Sequence, residues 1–196
     1  MPYFMPCLLH TYSEQNFQNL SYPQADMSNK EFTDCQFIQC DLSGGNFTGT
    51  TFIDCQFQDC NVSNIKVNDV SFQGVEFTGC KMMGIGFHTI STFLTDWAFH
   101  DCRLELCNFS ELKIKNTKFI DCSLKESNFI QSDLRESDFS GSDLQACQFQ
   151  NTNCEKVNFV GATNYYIDHT QNNIKKAKFS QPEVLGLLAG FGIEIQ

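Results

Sequence analysis

From Phe17 onward every fifth residue is apolar or aromatic, and that period limits what the chain can fold into. The register runs Phe17, Tyr22, Met27, Phe32, Phe37, Leu42, Phe47, Phe52, Phe57, Val62, Val67, Phe72, Phe77, Met82 and Phe87. After a step of twelve residues it resumes as Phe99, Leu104, Phe109, Ile114, Phe119, Leu124, Phe129, Leu134, Phe139, Leu144, Phe149, Cys154 and Phe159. Counting Phe179 with the second register, only Phe4, Phe93 and Phe191 among the 20 Phe fall outside both. A period of five is neither the 3.6 of a helix nor the 2.0 of a strand. It fits a solenoid that turns a corner every five residues.

Two residues before each centre lies a second inward slot, which takes small side chains. Nine of the 11 Cys occupy it: Cys35, Cys40, Cys55, Cys60, Cys80, Cys102, Cys107, Cys122 and Cys147. Ser127, Ser132, Ser137, Ser142, Thr50, Thr117, Thr152 and Ala162 fill equivalent places. A free Cys packs as a small hydrophobe, so these thiols are expected to be core filler. The position between slot and centre is mostly Asp or Asn, as in Asp26, Asn46, Asp138 and Asn158, which suits side chains that bond turn backbone.

The segments Ser137-Asp138-Phe139-Ser140-Gly141 and Ser142-Asp143-Leu144-Gln145-Ala146 read as a small residue, Asp, Phe or Leu, then two further residues. On this pattern the chain resembles the pentapeptide-repeat family over roughly residues 15 to 162. The resemblance implies an all-β fold, a right-handed quadrilateral parallel β-helix with 20 residues per coil. Folding the sequence at that period places Phe17, Phe37, Phe57 and Phe77 in one column and Phe32, Phe52 and Phe72 in another. Later, Phe119, Phe139 and Phe159 fall opposite Phe109, Phe129 and Phe149.

The expected organisation is an N-terminal cap (1–14), a first sub-rod (15–90), a register slip that bulges (91–98), a second sub-rod (99–163) and a C-terminal capping or dimerisation segment (164–196). The slip follows Gly84 and Gly86 and holds the only Trp, Trp97. Ser180-Gln181-Pro182-Glu183 predicts a short helix, with Ser180 as N-cap, Glu183 completing a capping box and Gly190 as the stop. Residues 191 to 195 alternate like a short terminal strand.

Little in the sequence suits catalysis. The Cys spacing of five is the repeat, not the two to four residues of a zinc knuckle. His100 is expected outward and Cys102 inward, which separates the one His-Cys pair. There is no glycine-rich phosphate loop and no Ser set beside a partner His. The reading is therefore a non-enzymatic protein with no cofactor, no metal and no catalytic residues. No run reaches the 18 or so apolar residues of a membrane span, and Met1 to Tyr12 lacks the basic and apolar regions of a signal peptide. A soluble, cytoplasmic protein with no membrane partner is expected.

The net charge of −10 argues against direct nucleic-acid binding. At a period of 20, Asp34 falls over Asp54 and Asp101 over Asp121, so like charges stack on neighbouring strands. Such carboxylates solubilise a rod, and they also suit a basic groove built for DNA phosphates. The helix and strand after the repeats, and the Gly84-Ile85-Gly86 junction followed by Trp97, are similar to the corresponding features of Qnr and MfpA-like pentapeptide proteins. That resemblance implies a homodimer joined through Val184, Leu185, Leu188, Phe191 and Ile193. It also implies a DNA-mimicking binder of DNA gyrase or topoisomerase IV that protects the enzyme from fluoroquinolones, with the stacked Asp34, Asp54, Asp101 and Asp121 as contacts. A general protein-interaction scaffold is the alternative.

Overall fold

The computed structural model describes residues 10–191 and residue 193. Its strands are short because a corner interrupts the chain every five residues. In chain order they are β1 (Thr11–Ser13), β2 (Asn16–Gln18), β3 (Glu31–Thr33), β4 (Gln36–Ile38), β5 (Thr51–Ile53) and β6 (Gln56–Gln58). They continue with β7 (Ser71–Gln73), β8 (Val75–Thr78), β9 (Trp97–His100), β10 (Lys118–Ile120), β11 (Asn158–Phe159) and β12 (Lys178–Phe179). A 3-10 turn spans Phe87–Thr89 and a 3-10 helix spans Glu183–Phe191.

All strand pairings are parallel, and each joins a residue to its counterpart one coil later, as Phe32 to Phe52 and Phe37 to Phe57. Strands β1-β3-β5-β7 form one side of the rod and β2-β4-β6-β8-β9-β10 the next. The remaining two sides are held by single bridges such as Asp41 to Asn61 and Asn46 to Lys66. The result is a four-sided parallel β-helix, with the corners that the five-residue period predicts and the four sides that the resemblance implies.

Corners close because residues there adopt positive φ, including Asp34 (53°), Asp54 (51°), Asp101 (53°) and Asp121 (53°). Asp and Asn tolerate this conformation better than most side chains. The polar position before each centre behaves as expected. Asp26 Oδ1 accepts from the Ser28 N–H at 3.1 Å and Asp138 Oδ1 from the Ser140 N–H at 2.8 Å. Across coils, Asn46 Nδ2 donates to Asp26 Oδ1 at 3.1 Å and Asn158 Nδ2 to Asp138 Oδ1 at 3.0 Å.

The core is a set of stacked columns. One aromatic spine runs Phe17, Phe37, Phe57, Phe77, Phe99, Phe119, Phe139, Phe159 and Phe179, with centroids 4.5 to 5.4 Å apart. It crosses the register slip without interruption, since Phe77 and Phe99 stack at 5.2 Å and 9° although 22 residues separate them. Tyr12, Phe32, Phe52 and Phe72 flank the spine in the first half, and Phe87, Phe109, Phe129 and Phe149 in the second. Trp97 joins these two columns, with its ring 5.3 Å from Phe72 and 5.2 Å from Phe87.

The small slot is more demanding than a filler. Its hydroxyls and thiols donate to the carbonyl of the centre one coil earlier: Thr50 to Met27 at 2.6 Å, Cys60 to Phe37 at 3.2 Å, Ser127 to Leu104 at 2.6 Å and Ser142 to Phe119 at 2.6 Å. The slot selects a small donor as well as a small volume. The ten described cysteines are free and buried. Burial holds the thiols of Cys55, Cys107, Cys147 and Cys154 up to about 12.

The C-terminal segment departs from expectation in two ways. The helix is a 3-10 helix that passes Gly190 and ends at Phe191, and Gly186 and Gly190 within it weaken the preference for a full α-helix. Ser180 does not cap it with its side chain. Instead Ser180 Oγ accepts the Gly161 N–H at 2.9 Å, standing in for the carbonyl that the next coil supplies elsewhere, as Val160 does for Gly141. The predicted strand beyond Phe191 lies outside the described residues, apart from Ile193, which is in no strand. The expected N-terminal cap, 1–14, is described only from His10. No helix among the described residues is long and apolar enough to cross a membrane.

Candidate functional site

The side built from β2, β4, β6, β8, β9 and β10 is bounded by two rows of corners, each contributing one residue per coil. One row carries Glu14, Asp34, Asp54, Gly74 and Asp96, and the other carries Asp59, Gly79, Asp101 and Asp121. The alignment of Gly74 with Asp96 follows from the pairing of Val75 with Trp97 and Glu76 with Ala98. Between the rows, Glu76 points outward from β8. Eight exposed carboxylates thus line one side and its edges: Glu14, Asp34, Asp54, Asp59, Glu76, Asp96, Asp101 and Asp121. Lys118 on β10 is the only Lys or Arg on the same stretch, where His100 also faces outward from β9.

The sequence placed Asp34 and Asp54 in one stack and Asp101 and Asp121 in another. The structure sets these stacks on opposite edges of a single sheet, so both border the same surface. Asp34 donates its N–H to Ile53 and Asp101 to Ile120, each at 3.0 Å, which fixes the corners one above the next. Glu14, Asp59, Glu76 and Asp96 were not singled out by the sequence reading. Glu14 follows at the same period of 20 as Asp34 and Asp54, whereas placing Asp96 and aligning Asp59 with Asp101 require the corner position to be followed across the 22-residue coil, a signal present in the spacing of Phe77 and Phe99.

Elsewhere on the rod four acids are held in ion pairs, whereas others, such as Glu31, Asp69, Glu111 and Glu126, stand exposed outside any of these pairs. Glu105 pairs with Arg103, Asp133 with Arg135 and Lys115, Asp143 with Lys125 and Glu136 with Lys156, at 2.6 to 3.6 Å. The Arg135 bonds hold Asp133 below the ordinary carboxylate range, and the Lys156 bond does the same for Glu136. None of the eight clustered acids takes part in these ion pairs.

Several corner carboxylates occupy space left by a glycine one coil later. Asp54 projects toward Gly74, Asp59 toward Gly79 and Asp121 toward Gly141, so close that a Cβ on any of these glycines would collide with the carboxylate oxygen.

His100 and Cys102 are separated as expected, since Cys102 is buried and donates to the Phe77 carbonyl at 3.4 Å. Among the described residues no group of three or more His, Cys, Asp or Glu side chains is arranged to hold a metal ion.

At the C-terminal end, Leu188 and Phe191 join His169, Ile174 and Leu187 around a shallow, largely apolar hollow of about 440 Å³. Phe191 stacks on His169 at 5.0 Å. Leu185, Phe191 and Ile193 are exposed, Val184 and Leu188 are half-buried, and Leu187 packs on the core.

The pentapeptide repeat region model matches residues 30–109 and 90–159, and the chain belongs to the pentapeptide-repeat family. No curated protein sequence matches it significantly. Among solved structures it is similar to a trypsin-treated QnrB1, a plasmid-mediated fluoroquinolone resistance protein, at 16% identity and TM-score 0.65, over 95% of this chain and 100% of that one. A second trypsin-treated QnrB1 gives 20% identity and TM-score 0.41, over 95% and 90%. A pentapeptide repeat protein of the Arabidopsis thaliana thylakoid lumen gives 11% and 0.33, over 68% of each chain. At 16% identity the likeness to the first of these structures is one of fold.

Proposed function

We propose that this protein is a non-enzymatic DNA mimic that binds a type II topoisomerase, DNA gyrase or topoisomerase IV, and shields it from fluoroquinolones. The observation that carries the reading is the concentration of eight exposed carboxylates, none of them in an ion pair, on one side of the rod where Lys118 is the only Lys or Arg, while all four ion-paired acids lie elsewhere. Glu14 to Asp121 spans six coils, about 25 Å at roughly 4.8 Å per step. Eight acids less Lys118 leave seven charges, about one per 3.5 Å. One strand of duplex DNA carries about one per 3.4 Å. Spread over two rows and the strand between them, the charge is about half that of both DNA strands together, which carry roughly one per 1.7 Å, and it still offers a basic groove a surface of matching sign whose long-range attraction steers the encounter.

The fold shared with QnrB1, a fluoroquinolone resistance protein, supports this choice of partner. We assign the apolar C-terminal hollow and the exposed Leu185, Phe191 and Ile193 to a homodimer contact that would double the length of the rod. The test is a gyrase supercoiling assay with ciprofloxacin, titrated with wild type and with an Asp54→Asn, Asp59→Asn, Asp101→Asn, Asp121→Asn variant. Asn tolerates the positive-φ corners, so the variant changes charge without forcing a new backbone. Rescue that weakens in the variant supports the reading. Neither rescue nor inhibition by the wild type refutes it and leaves the interaction scaffold as the alternative.

A further inference from the structure

The two extra residues of the 22-residue coil produce a short loop in place of a strand. After Ile90 fills its inward position, Ser91–Asp96 replaces the segment that would have continued β1-β3-β5-β7. Both ends are pinned. The Ser91 N–H donates to Val70 at 2.9 Å, Thr95 Oγ1 to the Ser91 carbonyl at 3.1 Å and the Asp96 N–H to Phe72 at 2.9 Å. Trp97 then supplies the ring that this loop withdraws from the core.

The tip of the loop is Phe93 and Leu94, 76% and 63% exposed, the two most exposed large apolar side chains among the described residues. Leu94 has φ +58°, a conformation that favours Gly, Asn or Asp, and backbone preference therefore does not explain a leucine there. Nor does the core use either side chain. The tip lies beside the acidic edge: Asp96 follows Leu94 by two residues and lines one recess with Glu76, Trp97 and Lys118, two carboxylates against one ammonium.

We infer that Phe93 and Leu94 form an apolar knob that seats in a hydrophobic pocket at the margin of the partner's basic groove, so that one protein surface receives both the carboxylates and the knob. This rests on the reading given above. The commitment to a protein comes from charge. Carboxylates next to the tip repel nucleic acid and anionic lipid, and draw in a cationic surface. Buried aromatic anchors supply much of the affinity at protein interfaces, whereas exposed rim charges mainly set encounter rate and salt dependence.

The two contributions separate in a salt series. Binding of purified gyrase to wild type, to Phe93→Ser/Leu94→Ser and to the four-Asn variant is measured from low to high salt. The knob variant should bind about tenfold or more weakly at every salt concentration, with the wild-type slope of affinity against salt. The four-Asn variant should flatten that slope. Phe93→Leu should recover part of the affinity, and the melting temperature of the knob variant should match wild type because its altered side chains lie in solvent. Wild-type affinity in the knob variant, or a changed salt slope, overturns the knob alone. Failure of wild type to bind gyrase overturns the parent reading and the knob with it.

Discussion

Trp97 donates its indole N–H to Thr117 Oγ1 at 3.2 Å, across the coil that follows the register slip. Its backbone occupies the small slot, directly after Val75 in the ladder, yet its ring reaches into the place where a Phe of the first flanking column is missing. One side chain thus offsets the volume lost when Ser91–Asp96 loops out, and its polar end meets the one hydroxyl placed to receive it. The spine runs past this repair undisturbed.

Trp97 is 3% exposed, so Trp97→Ala opens a large cavity at the junction of four rings and should cost about 3–5 kcal/mol. Thr117→Val removes only the hydroxyl partner of a buried N–H and should cost about 1–3 kcal/mol. Urea denaturation of both variants checks the ranking. Equal, small losses would mean that Trp97 is not what fills the gap.

Ser127 tests the donor requirement of the small slot. Its Oγ donates to Leu104 at 2.6 Å and accepts the Cys107 N–H at 3.0 Å. Ser127→Ala leaves two buried backbone groups unpaired and should cost about 1–3 kcal/mol, although the slot keeps its small occupant. Ser127→Cys retains a donor, as the neighbouring cysteines do, and should cost less. A neutral Ser127→Ala by thermal or urea melting would reduce the slot to volume alone.

Periodicity made most of this architecture legible. The spacing of Phe37, Phe57 and Phe77 defines the columns, and Asp or Asn before each centre defines the turns, because both are local consequences of a five-residue repeat. The acidic side was legible only in part. Asp34, Asp54, Asp101 and Asp121 follow from stacking at 20, but their shared surface depends on which corners flank which sheet, and Asp96 enters it only after the 22-residue coil is threaded. Ser180 misled because Ser-x-x-Glu is a genuine helix-start signal, whereas at the open end of a β-helix the unpaired Gly161 N–H competes for the same hydroxyl.

Gly141 has φ +71° and leaves room for the Asp121 carboxylate one coil below. Gly141→Ala adds left-handed strain and a collision, together about 2–3 kcal/mol. In an Asp121→Ala background the collision disappears and the penalty should fall to about 1–2 kcal/mol. A double-mutant cycle by urea melting measures the coupling. Zero coupling would show that the corner relaxes without contact between the two residues.

The buried thiols give the protein an alkaline limit. Cys55, Cys107, Cys147 and Cys154 titrate near 12 in the fold against 9.0 for an ordinary thiol, because burial disfavours the thiolate. The folded state therefore keeps protons that the unfolded chain loses, and stability should be constant with respect to these groups below pH 9 and fall between pH 9 and pH 12. Replacing Cys55, Cys107 and Cys147 by Ser should flatten that decline in urea midpoints. An unchanged slope would assign the alkaline loss to other groups.

Leu188 decides whether the C-terminal hollow is a subunit contact. It lines the apolar wall with Leu187 and Phe191, and Leu185, Phe191 and Ile193 stand exposed nearby in sequence. Two copies meeting through these groups would each bury several large apolar side chains, every one contributing about 1.5–3 kcal/mol when fully covered. Leu188→Asp puts a charge into that contact, and desolvating an unpaired carboxylate costs more than a single apolar side chain returns. Sedimentation equilibrium should therefore give a dimer for wild type and a monomer for Leu188→Asp, with circular dichroism unchanged because the repeats do not depend on this residue. A wild-type monomer, or a dimer in both proteins, would remove the hollow as the subunit interface.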